Sequence, residues 1–403
     1  VAGYFISNAV VAWIVNFIIA LIASYALSEI FGPDYDRPDL TLEEGGHLKT
    51  RRSSNASLPL IYGTCRVGVN QVYVGISGTD NEYMHIIGTV GEGPVEGIHQ
   101  ENSVDQVFID DKIYTDYGSN VSYEFFAGTA TQNVCSTLNT AISEWTDPLR
   151  YTAYIYVKIK YDQDKFNSIP SITVILEGLK LWDPTDDVAQ NSDNPALCVY
   201  DMLTRPSVRG GFGLDTWHGP EPASPRIDKD SVDDSKDYCT TKGWTNNQPI
   251  TDAKKAIMDN MNLILPNFRG ALVYSENKFK VLYMDLNHEA VVMSFDDDDV
   301  ISEGVESSLK INQPNIFNRP NAVRAKFLSS SAAADGSGTY KIADLVKTDS
   351  TAIAADGDYR EKEVKLYGLN TVELAGKMLN YHLERLRWGN RVSFTAGAKA
   401  QAL

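Results

Sequence analysis

The sequence predicts an α+β fold, predominantly β, with two β-rich domains, a mixed middle segment between them and a hydrophobic helix in front. Three observations carry this reading. Short β-type runs punctuated by Gly and Asn begin at Leu58 and return in the last third, capped helical patterns gather between Asn194 and Leu263, and Val1–Phe31 is apolar with no charge before Glu29.

A helix over Val1–Phe31 reaches roughly 45 Å, the length of a membrane span. A second reading comes from its internal order. Val11, Val15, Ile18, Ile22 and Tyr25 recur at steps of four and three, a largely β-branched seam of the kind that favours trimers or tetramers. Beside it run a bulky row through Val10, Ile14, Phe17 and Leu21 and a small-residue row through Ala9, Ala12, Asn16, Ala20 and Ala23. A helix apolar all round must be enclosed by lipid or by protein. No Lys or Arg precedes the stretch and the first to follow is Arg37, so a positive-inside signal is weak and a secretory signal peptide fits poorly.

The chain has 403 residues, enough for roughly two to four domains, and 43% hydrophobic content with 21 Tyr indicates packed cores. Lys and Arg number 36 against 53 Asp and Glu, and the resulting net charge of −17 argues against a surface that grips phosphate backbones. Cys65, Cys135, Cys198 and Cys239 are widely spaced, with no zinc-ligand pattern, and read as reduced thiols of a protein made in a cytosol.

After the helix, a polar arm leads to strands over Leu58–Gly68, Asn70–Ser77 and Tyr83–Ile98. Gly88, Gly91, Gly93 and Gly97 resemble a phosphate loop only in spacing, because the Gly-Lys-Ser/Thr end is missing and Glu92 and Glu96 would repel phosphate. Val107–Tyr114, Val121–Phe126, Tyr151–Lys160 and Ser171–Glu177 read as further strands, with a short helix within Ala130–Ser143. In Gly178–Asp215, Asn194 is placed to cap a helix with Pro195 at its first position and Leu197, Tyr200 and Leu203 facing the core. Arg205 and Arg209 suit that helix's negative end.

Helices follow over Ser231–Thr240 and, from a Thr251 cap, Asp252–Leu263; Ala271–Met284 reads as a hairpin turning at Ser275–Lys278. Strand patterns return at Gly304–Ile311, Asn321–Leu328 and Tyr359–Tyr367. A helix over Thr371–Trp388 would bury Leu374, Met378, Tyr381 and Leu386, and a last strand covers Arg391–Ala396. No terminal cap is visible at Leu403, so the chain is expected to continue.

Catalytic and metal signatures are missing. His47, His85, His99, His218, His288 and His382 show no ligand spacing, and there is no GxSxG. Asp296–Asp299 and the trio Asp183, Asp186 and Asp187 are the densest carboxylates, and neither matches an EF-hand loop. No enzyme activity and no cofactor is expected.

Several segments in order resemble the central tail-tip, or host-specificity, hub proteins of lambda-like siphophages and related baseplate hubs. They are IYGTCRVG at Ile61–Gly68, IIGTVGEGPVEGI at Ile86–Ile98, VFIDDK at Val107–Lys112 and KLWDPTDD…SDNPALCVYDML at Lys180–Leu203. RGALVYSENKFKVL at Arg269–Leu282, RPNAVRAKF at Arg319–Phe327 and ELAGKMLNYHLERLR at Glu373–Arg387 complete the set.

The resemblance implies a virion structural protein at the distal end of the phage tail: a homotrimer whose two tube-type β domains per subunit match a hexameric tube and whose closed end opens to release DNA. It divides the chain into a lumenal helix (1–32), a linker arm (33–57), a first tube-type domain (58–185, with a β insertion near 105–160), a mixed middle domain (186–295) and a second tube-type domain (296–403, with helix 371–388). In that setting Val11, Val15, Ile18, Ile22 and Tyr25 form the trimer seam. Asn16 and Phe17 lie in the outer rows offered to the C-terminus of a tape-measure protein. Other tail-tip and distal tail proteins are expected partners, the host envelope an indirect one, and DNA passes without binding. Asp296, Asp297, Asp298 and Asp299 are the candidate acidic lumen. The alternatives are a membrane-anchored surface or secretion protein with β-rich partner-binding domains and, third, a carbohydrate-active enzyme with a spread-out acidic site.

Overall fold

The computed structural model describes residues 50, 52, 57–162, 165–166, 168–251, 257–284, 296, 300, 302–303, 306–312, 319–330, 341–387 and 391–394. The fold is α+β and mostly β, as the sequence predicts. The N-terminal apolar stretch and most of the arm lie outside the described residues. Two arm residues are docked: Thr50 exchanges hydrogen bonds with the backbone of Ile172, and Arg52 donates to Gln71.

The first unit opens with β1 (Leu60–Tyr62), β2 (Thr64–Gly68), β3 (Asn70–Ser77), β4 (Tyr83–Glu92), β5 (Val95–Ile98), β6 (Val107–Ile109) and β7 (Lys112–Ile113). It continues with β8 (Val121–Phe126), helix α1 (Ser136–Ala141), β9 (Thr152–Lys160), β10 (Ile172–Asp183) and β11 (Val188–Asn191). Two sheets result. One has the antiparallel order β8-β9-β4-β3. In the other, β10 is the hub, pairing with β2, β5, β6 and β11, while β7 pairs with β6.

Burial explains the composition of the central strands. Met84, Ile86, Ile155 and Val157 on one face of the first sheet join Val67, Val107, Val174 and Leu176 of the second in a common core. On the other face Ile87, Tyr154 and Tyr156 pack with Leu138 of α1, and the Phe126 and Tyr154 rings stack at 4.5 Å. With both faces covered, β4 and β9 carry no solvent-facing row and lose the usual polar alternation. Of the four glycines that resemble a phosphate loop, Gly88 and Gly91 lie within β4 where Val69 and Ile61 leave no room for a side chain, Gly93 precedes β5 and Gly97 lies within it.

The middle segment contributes α2 (Pro195–Thr204), α3 (Lys229–Lys242), β12 (Gln248–Ile250), α4 (Ile257–Ile264) and a hairpin of β13 (Gly270–Ser275) and β14 (Lys278–Tyr283). Asn194 caps α2 as expected, accepting from the Ala196 N–H at 3.0 Å. Its amide nitrogen also donates to Lys236 and Thr240, so the cap fixes the approach of α3. Every residue of α2 is buried, beyond the one face predicted. Residues 252–256, the predicted start of α4, lie outside the described residues.

A short strand absent from the sequence reading, β12, pairs antiparallel with β1 and joins the middle segment to the first unit. It follows a run of buried amides. Asn247 accepts from the Thr64 N–H through Oδ1 and donates its backbone N–H to Gly368, while Asn246 Oδ1 accepts from Gln248 and Asn267. Three distant stretches of chain therefore meet at Asn246–Gln248 through the side-chain oxygens of the two asparagines and the Asn247 backbone N–H, while the asparagine amide nitrogens are buried without a hydrogen-bond partner among the described residues.

The last third holds β15 (Ala322–Ser329), β16 (Lys341–Thr348), α5 (Ser350–Asp356), β17 (Glu361–Lys365) and α6 (Val372–Arg387). The sheet order is β16-β15-β17, with β15 and β17 parallel. Helix α6 buries Leu374, Met378 and Tyr381 as predicted, and the side chain of Leu386 lies outside the described set. Lys310–Asn312 pairs with Arg391–Ser393.

Gly63, between β1 and β2, has φ +62°, and an added Cβ would collide with Oδ1 of Asn247 and the carbonyl of Asn246. Gly63→Ala is expected to lower stability by about 2 kcal/mol or more, measured by urea denaturation, because it imposes a left-handed backbone cost and breaks the amide junction together.

Candidate functional site

The segment following α2, RPSVRGGFGLD, is where the chain spends its buried charge. Asp201 and Arg205 lie one helical turn apart, a spacing that on an exposed helix gives a weak surface pair. Because α2 is enclosed, both are buried, with 2% and 0% exposure. Asp201 Oδ2 accepts from the Tyr62 hydroxyl at 2.8 Å and from Arg205 Nε at 2.9 Å, and Oδ1 accepts from Trp217 Nε1 at 2.9 Å. Burial works against the charge of Arg205, but Asp201, Tyr62 and Glu92 outweigh it and hold the guanidinium above its ordinary range.

Arg205 also reaches Glu92 of β4 at 3.4 Å. The same Glu92 oxygen is gripped by Arg209, whose other arm donates to the Gly93 carbonyl at 2.8 Å. The indole of Trp217 is shared by both guanidiniums, centred 5.0 Å from Arg205 and 4.7 Å from Arg209. Thus Arg205 and Arg209, placed by sequence at the helix end, turn inward to two carboxylates. The close approach of Gly211 to the Arg205 backbone leaves no space for a side chain there.

This clamp has two acids and two bases, each engaged, so it offers no free nucleophile or general base. It holds a turn rigid. At the tip of that turn stands Val208, 92% exposed.

The other predicted groups are dispersed. Val11, Val15, Asn16, Phe17, Ile18, Ile22 and Tyr25 lie outside the described residues, as do Asp297, Asp298 and Asp299; Asp296 is described and exposed. Asp183 is buried and paired with Lys236 at 3.1 Å, while Asp186 and Asp187 are exposed beyond it. Among the described residues no group of His, Cys, Asp and Glu is arranged to hold a metal. All four cysteines are free and buried, and burial pushes the Cys65 thiol up to about 12 and the Cys135 thiol to about 11. Among the described residues no helix is long and apolar enough to cross a membrane.

His85 is fully buried between Tyr156, whose hydroxyl is 2.8 Å from Nδ1, and Ser77, whose hydroxyl is 2.7 Å from Nε2. Burial, with help from Lys158, lowers its pKa to about 4. Sequence gave no hint of this chain, because Ser77, His85 and Tyr156 come from three strands.

No family model matches the sequence and no curated protein matches it. Among solved structures, the fold is similar to a chain of the native gene transfer agent virion particle, with a TM-score of 0.58 and 12% identity over 88% of this chain and 78% of that one. The 43 kDa tail protein of prophage MuSo2 from Shewanella oneidensis is matched at 12% identity over 84% of this chain and 78% of that chain, with a TM-score of 0.27, too low to carry an argument. At this identity the virion likeness establishes a shared fold and transfers no residue roles.

Asp201→Ala leaves Arg205 buried beside a single, longer carboxylate contact and is expected to cost about 3–5 kcal/mol in denaturant unfolding; the apolar pair Asp201→Leu with Arg205→Met should recover much of it. For His85 the folded chain takes up the proton at about 4 and the unfolded chain near the ordinary 6.5, so unfolded protein binds more protons between those values. Its contribution to stability is complete above that window and lost as pH falls through it. A melting temperature followed across the window should fall less steeply in His85→Gln.

Proposed function

We propose that this chain is a structural protein of a phage-type virion, the central hub of a siphophage tail tip. The observation that carries the reading is the shared fold with a gene transfer agent virion chain across 88% of the length. The ordered hub-like segments from Ile61 to Arg387 support it independently. In this reading three copies cap the tail tube and act by assembly and gating, with no catalytic step.

The N-terminal stretch gives the proposal its finer content. Three helices meet along Val11, Val15, Ile18, Ile22 and Tyr25, and the outer rows with Asn16 and Phe17 receive the C-terminus of the tape-measure protein. A net charge of −17 suits a bore through which DNA passes without sticking, with Asp296–Asp299 as its candidate acidic lining. The competing reading, a membrane-anchored surface or secretion protein, draws on the apolar length of the same stretch.

Fractionation with an antibody against residues 50–403 separates the two. Sedimentation with tailed particles at three copies each is the expected result, and flotation with membranes in the absence of particles favours the anchor. Within the hub reading, Val15→Asp with Ile18→Asp should abolish tail assembly while leaving the isolated chain folded by circular dichroism; normal tails from that variant would remove the helix from the proposal.

A further inference from the structure

Beside the outer end of β10 the structure has a recess of about 20 Å³, room for one water-sized group. Its walls include Trp182, Asp187, Tyr200, Asp215, Glu221 and Lys229. Tyr200 comes from α2 and is only 7% exposed, yet its hydroxyl has no hydrogen-bond partner among the described residues. Tyr200 lines the recess together with Asp187, Asp215 and Glu221, and burial, then Asp215, Glu221, Asp233 and Asp187, push its hydroxyl up to about 12. The indole N–H of Trp182 is buried without an acceptor among the described residues.

The three wall carboxylates differ in what they already hold. Asp215 is fixed by the backbone N–H groups of Arg226 and Ile227, at 2.9–3.0 Å. Asp187 and Glu221 are exposed and have no ion-pair or hydrogen-bond partner among the described residues. Lys229 is the single cation of the wall against three acids. The site is thus acidic, with an unpartnered hydroxyl and an aromatic wall.

We propose that this recess binds a primary ammonium, the end of a lysine side chain on a partner polypeptide. The N–H donors of one ammonium can meet the Tyr200 oxygen and a free carboxylate, its charge is drawn by the remaining acids, and the methylene stem can lie along Trp182. The recess admits such a head group. A metal ion suits it less, because these acids are not gathered closely enough to form a ligand set.

The test uses the full chain with ¹⁵N-labelled Trp, the Trp182 indole signal being assigned by Trp182→Phe, and titrates Nα-acetyl-lysine methylamide. The proposal expects a saturable shift of that signal, no such shift with the neutral Nε-acetylated analogue, and binding weakened about fivefold by Glu221→Gln with Asp187→Asn. Tyr200→Phe should weaken it too, and Lys229→Ala should tighten it, since removing the wall's own cation leaves the recess more acidic. No saturable shift, an equal response to the neutral analogue, or unchanged or weaker binding in Lys229→Ala would overturn it. The experiment needs no particle, so its failure leaves the virion reading standing and failure of the virion reading leaves this site standing.

Discussion

The enclosed charge of α2 is the constraint on which the rest of the molecule depends. A helix buried on every side cannot leave Asp201 and Arg205 in water, and neutralising them locally requires Tyr62 from β1, Glu92 from β4 and Trp217 from the following loop. Removing ions from water costs several kcal/mol each, so the cluster does little for net stability compared with an apolar core. What it does is exclude alternatives. A shift of α2 by one turn, or of β4 by one residue, would strand a charge, and so the helix, both strands and the loop have one arrangement in common.

The amide junction at Asn246–Gln248 works by the same logic without charge. Asparagine carries both donor and acceptor on a short side chain, so a buried pair can bridge backbones from separate parts of the chain in one place. Here it joins the β1–β2 corner, the end of α4 and the turn before α6. Gly63 and Gly368 both lie against it where no side chain fits. The first unit, the helices and the last sheet are consequently held at a joint made of hydrogen bonds, and apolar packing fills in around it.

Legibility followed the range of the interaction that decides each element. The hairpin at Ala271–Met284, the Asn194 cap and α6 are set by neighbours within a turn or two, and the structure has them where the pattern predicts. Strands β12 and β16 and helix α5 went unread, because Gln248–Ile250 contains a proline and polar flanks, β16 follows a small-residue run, and α5 is a short stretch of mostly small residues with no apolar period. The candidate sites were legible only in fragments. Arg205 and Arg209 stood out as cations at a helix end, while Glu92, Tyr62 and Trp217 had no local feature that linked them to those arginines.

By itself the sequence determined the class of fold, most of its elements in order, the absence of recognisable catalytic spacing and the acidic balance of the chain. These follow from composition and from contacts close along the chain. Tertiary structure alone decided which side chains lost their water. Burial turned an ordinary i,i+4 pair into a clamp, three strands' worth of polar groups into the Ser77–His85–Tyr156 chain, and scattered acids around Tyr200 into a recess. The physical reason is that desolvation and hydrogen-bond geometry depend on distance in space, and residues such as Glu92 and Arg209 acquire that distance only after the chain has folded.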